Sequence, residues 1–504
     1  MNRPTARVPC TELYFGKSDS KNEWTTQRDD FIRSYVDLDH TVDKVVHGDR
    51  TLILGPKGTG KSALAWYLQA TGATGRHMAA VRDASNLPLS DIPNLRTGQP
   101  AGIERTVVAW KLILLANYLD LVLSDSGVRI PSGTEARRAV RALRDFGFLG
   151  ADSGRALLRT SGKVFRMPID LRSASFQNES SSELNIYSLV PHLSHWSATA
   201  KSSRRHILLL DGLDSIYLND EKYDESMAAL MQAWYSINQE LRSARASGSV
   251  VLLIRNDVFS RISLSLPDSQ KMRDDEGIQL DWRVFSGGLE ERAPLVVLAN
   301  RKAGHDRGIE EVDVLSYFPS AINTSTNSSN PRMRPRLQHL LNLTRHTPRD
   351  LLRLFDEIRK VAAVGAFSMD SGDVLPQTVI KEGILRYCND YFVNAIRNEF
   401  AGFERGPQEA GAALETIEQV ASHRFIRTDF RQKLAQIQPA LAGDVDRLLR
   451  LLFFAGAIGN LVPGAARNYA QFYHRRDNAQ IHLQGPLILH NALVHAWGLP
   501  FERY

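Results

Sequence analysis

The sequence predicts an α/β fold built on a parallel sheet, and three segments carry that prediction. Residues 51 to 54, TLIL, form a short apolar run that passes at once into the glycine-rich stretch GPKGTGKS and then into the helix-forming SALAWYLQATG. A second apolar run, HILLLDGLD at 206 to 214, and a third, SVVLLIRND at 249 to 257, are separated by a helical pattern over about 222 to 245. Short apolar runs of this kind suit strands buried on both faces, and strands that alternate with helices build a parallel sheet covered on both sides.

GPKGTGKS is the chemically informative segment. Gly55, Pro56, Lys57, Gly58, Thr59 and Gly60 form a loop whose backbone N–H groups can turn inward on an anion, and the following helix offers its N-terminal dipole to the same charge. Lys61 can reach the β- and γ-phosphates of a nucleotide, and Ser62 can hold Mg²⁺ through its hydroxyl. The preceding strand and following helix are the context that separates a P-loop from a chance match. ATP with Mg²⁺ is therefore the expected ligand. GTP is disfavoured, because no base-reading N-K-x-D sequence follows.

Phosphate-loop chemistry needs an acidic partner for the metal and the attacking water. ILLLDGLD supplies it: Asp211 at the strand exit is the magnesium-side candidate, and Asp214 the candidate for polarising water. Both acids could instead cap a helix. The third strand ends in Arg255, Asn256 and Asp257, of which Arg255 or Asn256 could sense the γ-phosphate, with helix capping as the alternative for Asn256 and Asp257. In RHTPRDLLRLF, Pro348 can start a helix and Arg349 falls in its first turn. A cation is unfavourable at that end of a helix, which points to a functional use for Arg349.

At 504 residues the chain exceeds a single core, and at roughly 150 residues per domain it divides into about three units. The expected division is a P-loop core over 1–284 with a helical insertion at about 88–204, a helical lid and linker over 285–400, and a winged-helix-like domain over 401–504. Helical spacing runs through 24–47 and ends at Gly48, a C-cap candidate. The insertion contains an amphipathic helix over about 102–124, a strand pair around KVFRMPIDLRSASF and a helix around SSELNIYSLVPHLSHW. The segment 320–335, rich in Ser, Thr and Asn, reads as a mobile surface loop. Helices are expected at about 336–346, 348–364 and 375–400, then three short ones and a hairpin of AIGNLV and YAQFYHRR.

Composition is 43% hydrophobic and 23% charged, that of a folded globular protein. No uninterrupted apolar stretch of about 18 residues occurs and the first residues lack a signal-peptide core, so no membrane contact and a cytoplasmic location are expected. Cys10 and Cys388 build neither a disulfide framework nor a zinc site. The net charge of +6 and pI near 9.2 permit nucleic-acid contact without requiring it.

Together these motifs resemble the AAA+-like branch of P-loop ATPases that includes origin-recognition ATPases and STAND signalling ATPases. LLLDGLD is similar to their Walker B segment, LLIRND to their sensor 1 strand with Arg255 at the matching position, and TPRDLLRL to the start of their sensor 2 helix with Arg349 as the matching arginine. The chain also resembles a bacterial family of stand-alone P-loop ATPases, through Phe15-Gly16, Gly55 to Ser62, Ile254 to Phe259 and Leu280-Asp281-Trp282. Some members look associated with phage defence. The resemblance implies an ATPase that works as a nucleotide-dependent switch. Gly212 stands where many AAA+ proteins carry a glutamate after the first Asp, which shifts the expectation to slow hydrolysis. Arg261, Arg283 and Arg292 are alternative arginine-finger candidates.

No effector motif is visible, so the switch is expected to act as a homo-oligomer or on a separate effector protein. The alternatives are a DNA-dependent ATPase or loader and a degenerate ATPase serving as a scaffold. A winged helix could contact duplex DNA through His474, Arg475 and Arg476 on the hairpin and through Arg427, Arg431 and Lys433 on a short helix. Against this, residues 401–504 hold eleven Lys and Arg to nine Asp and Glu. In STAND-like proteins such a module often packs on the ATPase instead.

Overall fold

The computed structural model describes residues 8–501 except 73–74, 85–102, 146–147, 150–165, 168–183, 214–220, 267, 284–291, 305–310, 325–331, 365–373, 401–405, 465–467 and 476–478. It divides into two compact units. The first is Met1–Leu38 with Lys57–Gly60 and Asp281–Tyr504, and the second is Asp39–Pro56 with Lys61–Leu280.

The second unit is the parallel sheet. Its strand β1, Leu52–Leu54, is followed after the glycine-rich loop by helix α1, Lys61–Gly72, and then by β2, His77–Asp83. Helix α2, Ile103–Ser124, precedes β3, Arg205–Asp211; helix α3, Glu221–Ser243, leads to β4, Gly248–Ile254, and β5, Gly277–Gln279, completes the sheet. The spatial order is β2-β3-β4-β1-β5 and every pair is parallel, an AAA+-like arrangement. All of β1 and β4 is buried, which is why the apolar runs do not alternate.

Helix α2 departs from the amphipathic helix expected there. Ala109, Trp110, Leu112 to Ala116, Tyr118, Leu119, Leu121 and Val122 are all buried, so the helix is apolar nearly all round, as a core helix is. By length and composition Thr106–Ser124 could cross a bilayer, yet most of it is buried inside the fold. Lys111, Asn117 and Asp120 interrupt its apolar run in the sequence. These polar residues have partners: Lys111 Nζ donates to Ser236 Oγ at 2.7 Å and Glu240 Oε1 at 3.0 Å, tying α2 to α3. Helix α3 is in turn fixed to β4, where Trp234 Nε1 and Asn238 Nδ2 each donate to Val250 O at 2.9 Å.

Several boundaries differ from expectation. The pattern over 24–47 is three helices, Ser20–Thr26, Arg28–Ser34 and Thr41–His47, interrupted by non-helical Gln27 and left-handed Asp39 and His40; Gly48, at φ +78°, is the C-cap. Arg166–Met167 pairs with Leu184–Asn185 instead of with a neighbour inside 163–176, and the rest of that segment lies outside the described residues. The helix expected from about 181 starts at Val190, with Pro191 in its first turn.

The first unit is mainly helical before its C-terminal part, with one short ribbon. Ala321–Asn323 and Met333–Pro335 form an antiparallel ribbon where a loop was expected, so the polar composition marks its connection alone. Helix α4, Pro348–Val364, has the predicted span. The predicted helix over 375–400 is Gln377–Arg386 and Val393–Glu399 joined by a π-helical segment, Tyr387–Phe392. The C-terminal part places α5, Gly406–Val420, before strand β6, Arg424–Phe425, then α6, Arg427–Ile437, and α7, Val445–Ala455. The expected hairpin is β7, Ile458–Val462, with β8, Tyr469–Gln471. An unforeseen strand, β9 at Leu487–Leu489, sits between β6 and β7 and gives the antiparallel order β6-β9-β7-β8 of a winged-helix-like module.

Candidate nucleotide site

In the second unit, the C-terminal edge of the parallel sheet collects the predicted groups, as open α/β sheets do. Lys61 opens α1 and is 7% exposed; its ammonium donates to Gly55 O at 2.9 Å and Pro56 O at 3.1 Å. Ser62 follows it in the first turn. Asp211 ends β3, and Gly212 takes the left-handed φ of +78°. Strand β4 lies between β3 and β1, with Ile254 in register with Leu54, so Arg255 and Asn256 leave the sheet beside the start of the glycine-rich loop. Asp214 lies outside the described residues.

The choice between Arg255 and Asn256 is sharpened by their partners. Arg255 spends its guanidinium on Asp257, with Nε to Oδ1 at 3.0 Å and Nη2 to Oδ2 at 2.8 Å. The helix Asn256–Ile262 has Arg255 as its N-cap, and Arg255 makes no side-chain cap. The Asn256 side-chain carbonyl oxygen is buried without a hydrogen-bond partner among the described residues. A buried polar atom left in this state needs a partner from elsewhere, and the choice of amide oxygen or nitrogen can turn to suit it.

Sequence reasoning passed over Asp83. It ends β2 and pairs in parallel register with Asp211, so two carboxylates emerge side by side from adjacent strands. The signal was available in the acid closing HMAAVRD, but that strand is half-exposed and carries no long apolar run.

In the first unit, the middle of the glycine-rich loop meets the start of α4. Gly58 has φ +84°, and a Cβ built on it would stand 3.2 Å from Arg349 Cβ and 3.3 Å from Thr347 Oγ1. Only a glycine permits both that backbone and that approach. The Arg349 N–H points to Gly58 O at 3.4 Å. Trp282, from the LDW segment, donates Nε1–H to Thr59 O at 2.8 Å, a contact no spacing argument foresaw. Thr347 Oγ1 accepts the Asp350 N–H at 3.3 Å, an N-cap for α4 with Pro348 in the first position. The Arg349 guanidinium has no hydrogen-bond or ion-pair partner among the described residues.

The remaining candidates are spread out. Arg261 pairs with Asp224 at 2.8 Å, Arg283 is held by Asp281 with Nε to Oδ1 at 2.7 Å, and Arg292 is exposed. In the C-terminal module, Arg427 is ion-paired to Asp446 at 2.5 Å while Arg431 is exposed and Lys433 half-exposed. His474 and Arg475 do not extend the hairpin: the strand stops at Gln471 and Tyr473–Arg475 is a 3-10 turn. Arg475 lies over the Phe472 ring at 4.8 Å, and both ring nitrogens of His474 are buried. These two turn inward: Arg475 also donates to Asn342 O at 3.5 Å, and the His474 ring lies 6.1 Å from that of His346. Arg476 lies outside the described residues.

No protein-family model and no curated protein matches the chain. Among solved structures, it is similar to Cdc6p from Pyrobaculum aerophilum, at 10% identity and TM-score 0.32 over 98% of this chain and 99% of that one. It is also similar to the Drosophila ORC bound to DNA, at 11% identity and TM-score 0.28 over 98% of this chain and 95% of that one. At such TM-scores the fold assignment stands on the sheet order itself.

Proposed function

We propose that the chain is an ATP-binding, slowly hydrolysing molecular switch that acts by oligomerising or on a separate effector protein. The observation that carries the reading is the contact of Gly58, in the phosphate loop, with Thr347 and Arg349 at the start of α4. A phosphate held by the loop's N–H groups displaces Gly58 and α4 together, and α4 carries the Arg349 guanidinium, unpartnered among the described residues, toward or away from the charge.

The residues present suit the ligand. Gly58 and Gly60 both take positive φ, +84° and +94°, which turns successive N–H groups to one side of the loop. Lys61 is buried with its ammonium on carbonyls it can exchange for phosphate oxygens. Ser62 and Asp211 offer the hard oxygen donors Mg²⁺ prefers, and the ion would supply charge neutralisation on the β- and γ-phosphates. Asn256 has the free carbonyl to orient a water or sense the γ-phosphate. With Gly212 after Asp211 there is no neighbouring glutamate to take a proton, which supports slow turnover.

The test measures ATP binding, turnover and oligomeric state for the wild-type chain and Lys61→Ala, with and without duplex DNA. Binding lost in Lys61→Ala together with an ATP-dependent change of oligomeric state is expected. A wild-type chain that binds no ATP ends the proposal. Turnover raised more than about 10-fold by DNA replaces the switch with a DNA-dependent ATPase.

A further inference from the structure

We propose that the second unit carries another ligand site, for a small phosphate-bearing anion, at the edge of the parallel sheet opposite to Lys61 and Asp211. A cavity of about 540 Å³ opens there, lined by Gly48, Arg205, Arg242, Arg245, Gly248 and Ser249 among others. Arg205 begins β3, and Gly248 and Ser249 begin β4, so the cavity lies beneath the N-terminal ends of these strands. Its volume is in the range of small-molecule sites and would take a mononucleotide.

Two lining residues hold buried polar atoms that no described residue satisfies. Arg205 Nε is buried without a partner, and the Arg205 side chain makes no ion pair among the described residues. Ser249 is 4% exposed and its hydroxyl is likewise unbonded. Buried donors in native proteins are almost always paired, and two side chains of one cavity lining that keep such donors unpaired among the described residues are not committed to the fold. The fold also makes room for this guanidinium: a Cβ on Gly48 would stand 2.6 Å from Arg205 Nη2.

Arg245 supplies the second charge. It follows α3 with φ +52°, where its N–H reaches Arg242 O and the Ala246 N–H reaches Leu241 O, each at 2.9 Å. That C-terminal turn ordinarily takes glycine. Here a side chain is kept at the strained position, and it lines the cavity with no side-chain partner among the described residues. Arg242, by contrast, is committed to Glu276, which also accepts from Thr51 Oγ1 at 2.7 Å, so this acid is neutralised. Asp49 and Asp275 are on the exposed rim, placed to accept from the hydroxyl or amino groups of an organic phosphate. Two guanidinium groups that line one cavity, neither ion-paired among the described residues, are suited to phosphate oxygens.

The experiment uses the full chain carrying Lys61→Ala, so that the phosphate loop is disabled, and titrates it calorimetrically at low salt with AMP and, separately, with inorganic pyrophosphate. Saturable binding of at least one probe is expected. Arg205→Gln should weaken it at least 10-fold, Arg205→Lys less, and addition of Arg245→Gln should abolish it. Tighter binding of AMP identifies a nucleotide as the ligand class, and equal binding shows that the phosphates suffice. If Arg205→Gln fails to fold by circular dichroism, Arg245→Gln on its exposed turn carries the test. No binding of either probe to the folded chain, or binding that neither arginine substitution alters, overturns the site. The outcome is independent of whether the phosphate loop binds ATP.

Discussion

The guanidinium of Arg345 grips the carboxylate of Asp350 twice, Nε to Oδ2 at 2.9 Å and Nη2 to Oδ1 at 3.0 Å, inside the first turn of α4. Arg345 N–H also donates to Oδ2 at 3.0 Å, Tyr391 O–H donates to Oδ1 at 2.8 Å, and Glu399 accepts from Arg345 Nη1 at 3.1 Å. Burial alone would raise the Asp350 carboxyl; the Arg345 charge and these hydrogen bonds override it and hold the group below its ordinary range. Tyr391 reaches Asp350 from the π-helical segment, a local widening that re-aims side chains. The pair therefore sets the geometry of the turn that presents Arg349.

Asp350→Ala would leave Arg345 buried without its main counter-charge. The loss is expected to be about 3–5 kcal/mol, as for other buried pairs broken on one side. Asp350→Asn keeps an acceptor and should lose less. Urea unfolding midpoints of the two variants check this, and equal midpoints for Asp350→Ala and wild type would show that the pair contributes no net stability.

Gly58→Ala addresses the loop. The substitution forces an L side chain into left-handed backbone at about 1–2 kcal/mol and crowds Arg349 Cβ at 3.2 Å. Since the strain falls on the loop and the start of α4, ATP affinity should drop about 10-fold for each 1.4 kcal/mol absorbed there. Equilibrium titration with ATP measures it. An unchanged affinity would separate Gly58 from nucleotide binding.

What was legible in the sequence follows from how local each signal is. TLIL, HILLLD and SVVLLI show parallel strands because both their faces are buried, and Pro348 shows the start of α4 because it acts within one turn. The depth of α2 was not legible, because Lys111 and Asn117 interrupt its apolar run while their partners lie on α3 or one turn back. Trp282 on Thr59 joins residues 223 positions apart, and Arg345 to Glu399 spans 54. Such contacts follow from packing, which periodicity cannot reach. The turn at Tyr473–Arg475 was missed for the same reason: two arginines after a strand read as a basic wing until Phe472 is seen under one of them.

Asp211 and Asp83 can be separated by substitution. Asp211→Asn removes the proposed metal-side carboxylate and should lower turnover at least about 100-fold, consistent with the several kcal/mol a metal supplies, while ATP binding without Mg²⁺ stays within about 10-fold. Asp83→Asn, on the neighbouring strand, should give a smaller loss that excess Mg²⁺ partly restores. Single-turnover assays at several Mg²⁺ concentrations distinguish them. If Asp83→Asn is the more damaging, the metal-side role passes to Asp83.

Acid should loosen the first unit through its buried histidines. Both ring nitrogens of His346 are buried without partners among the described residues, its ring centroid is 6.1 Å from that of His474, and His474 is 5.5 Å from His490. His490 is held neutral: Nδ1 accepts the Ala492 N–H at 3.2 Å, leaving Nε2 to donate to Thr344 O at 3.2 Å. Burial, then the charges of Arg475 and Arg283, push His346 from 6.5 down to about 3, against the pull of Asp281 and Asp350. His474 and His490 are lowered in the same direction, burial first and Arg475 next. A histidine lowered in the folded state is neutral there while the unfolded chain takes up a proton, so its stabilisation is full above pH 6.5 and declines as pH falls toward its folded value. For His346 alone the decline between pH 6.5 and about 5 is about 2 kcal/mol, at about 1.4 kcal/mol per unit for one proton. His346→Gln removes that proton from the balance, so its urea midpoint should fall less steeply with acid than the wild type's. Parallel slopes for the two chains would show that His346 is protonated in the fold or does not unfold with the rest of the unit.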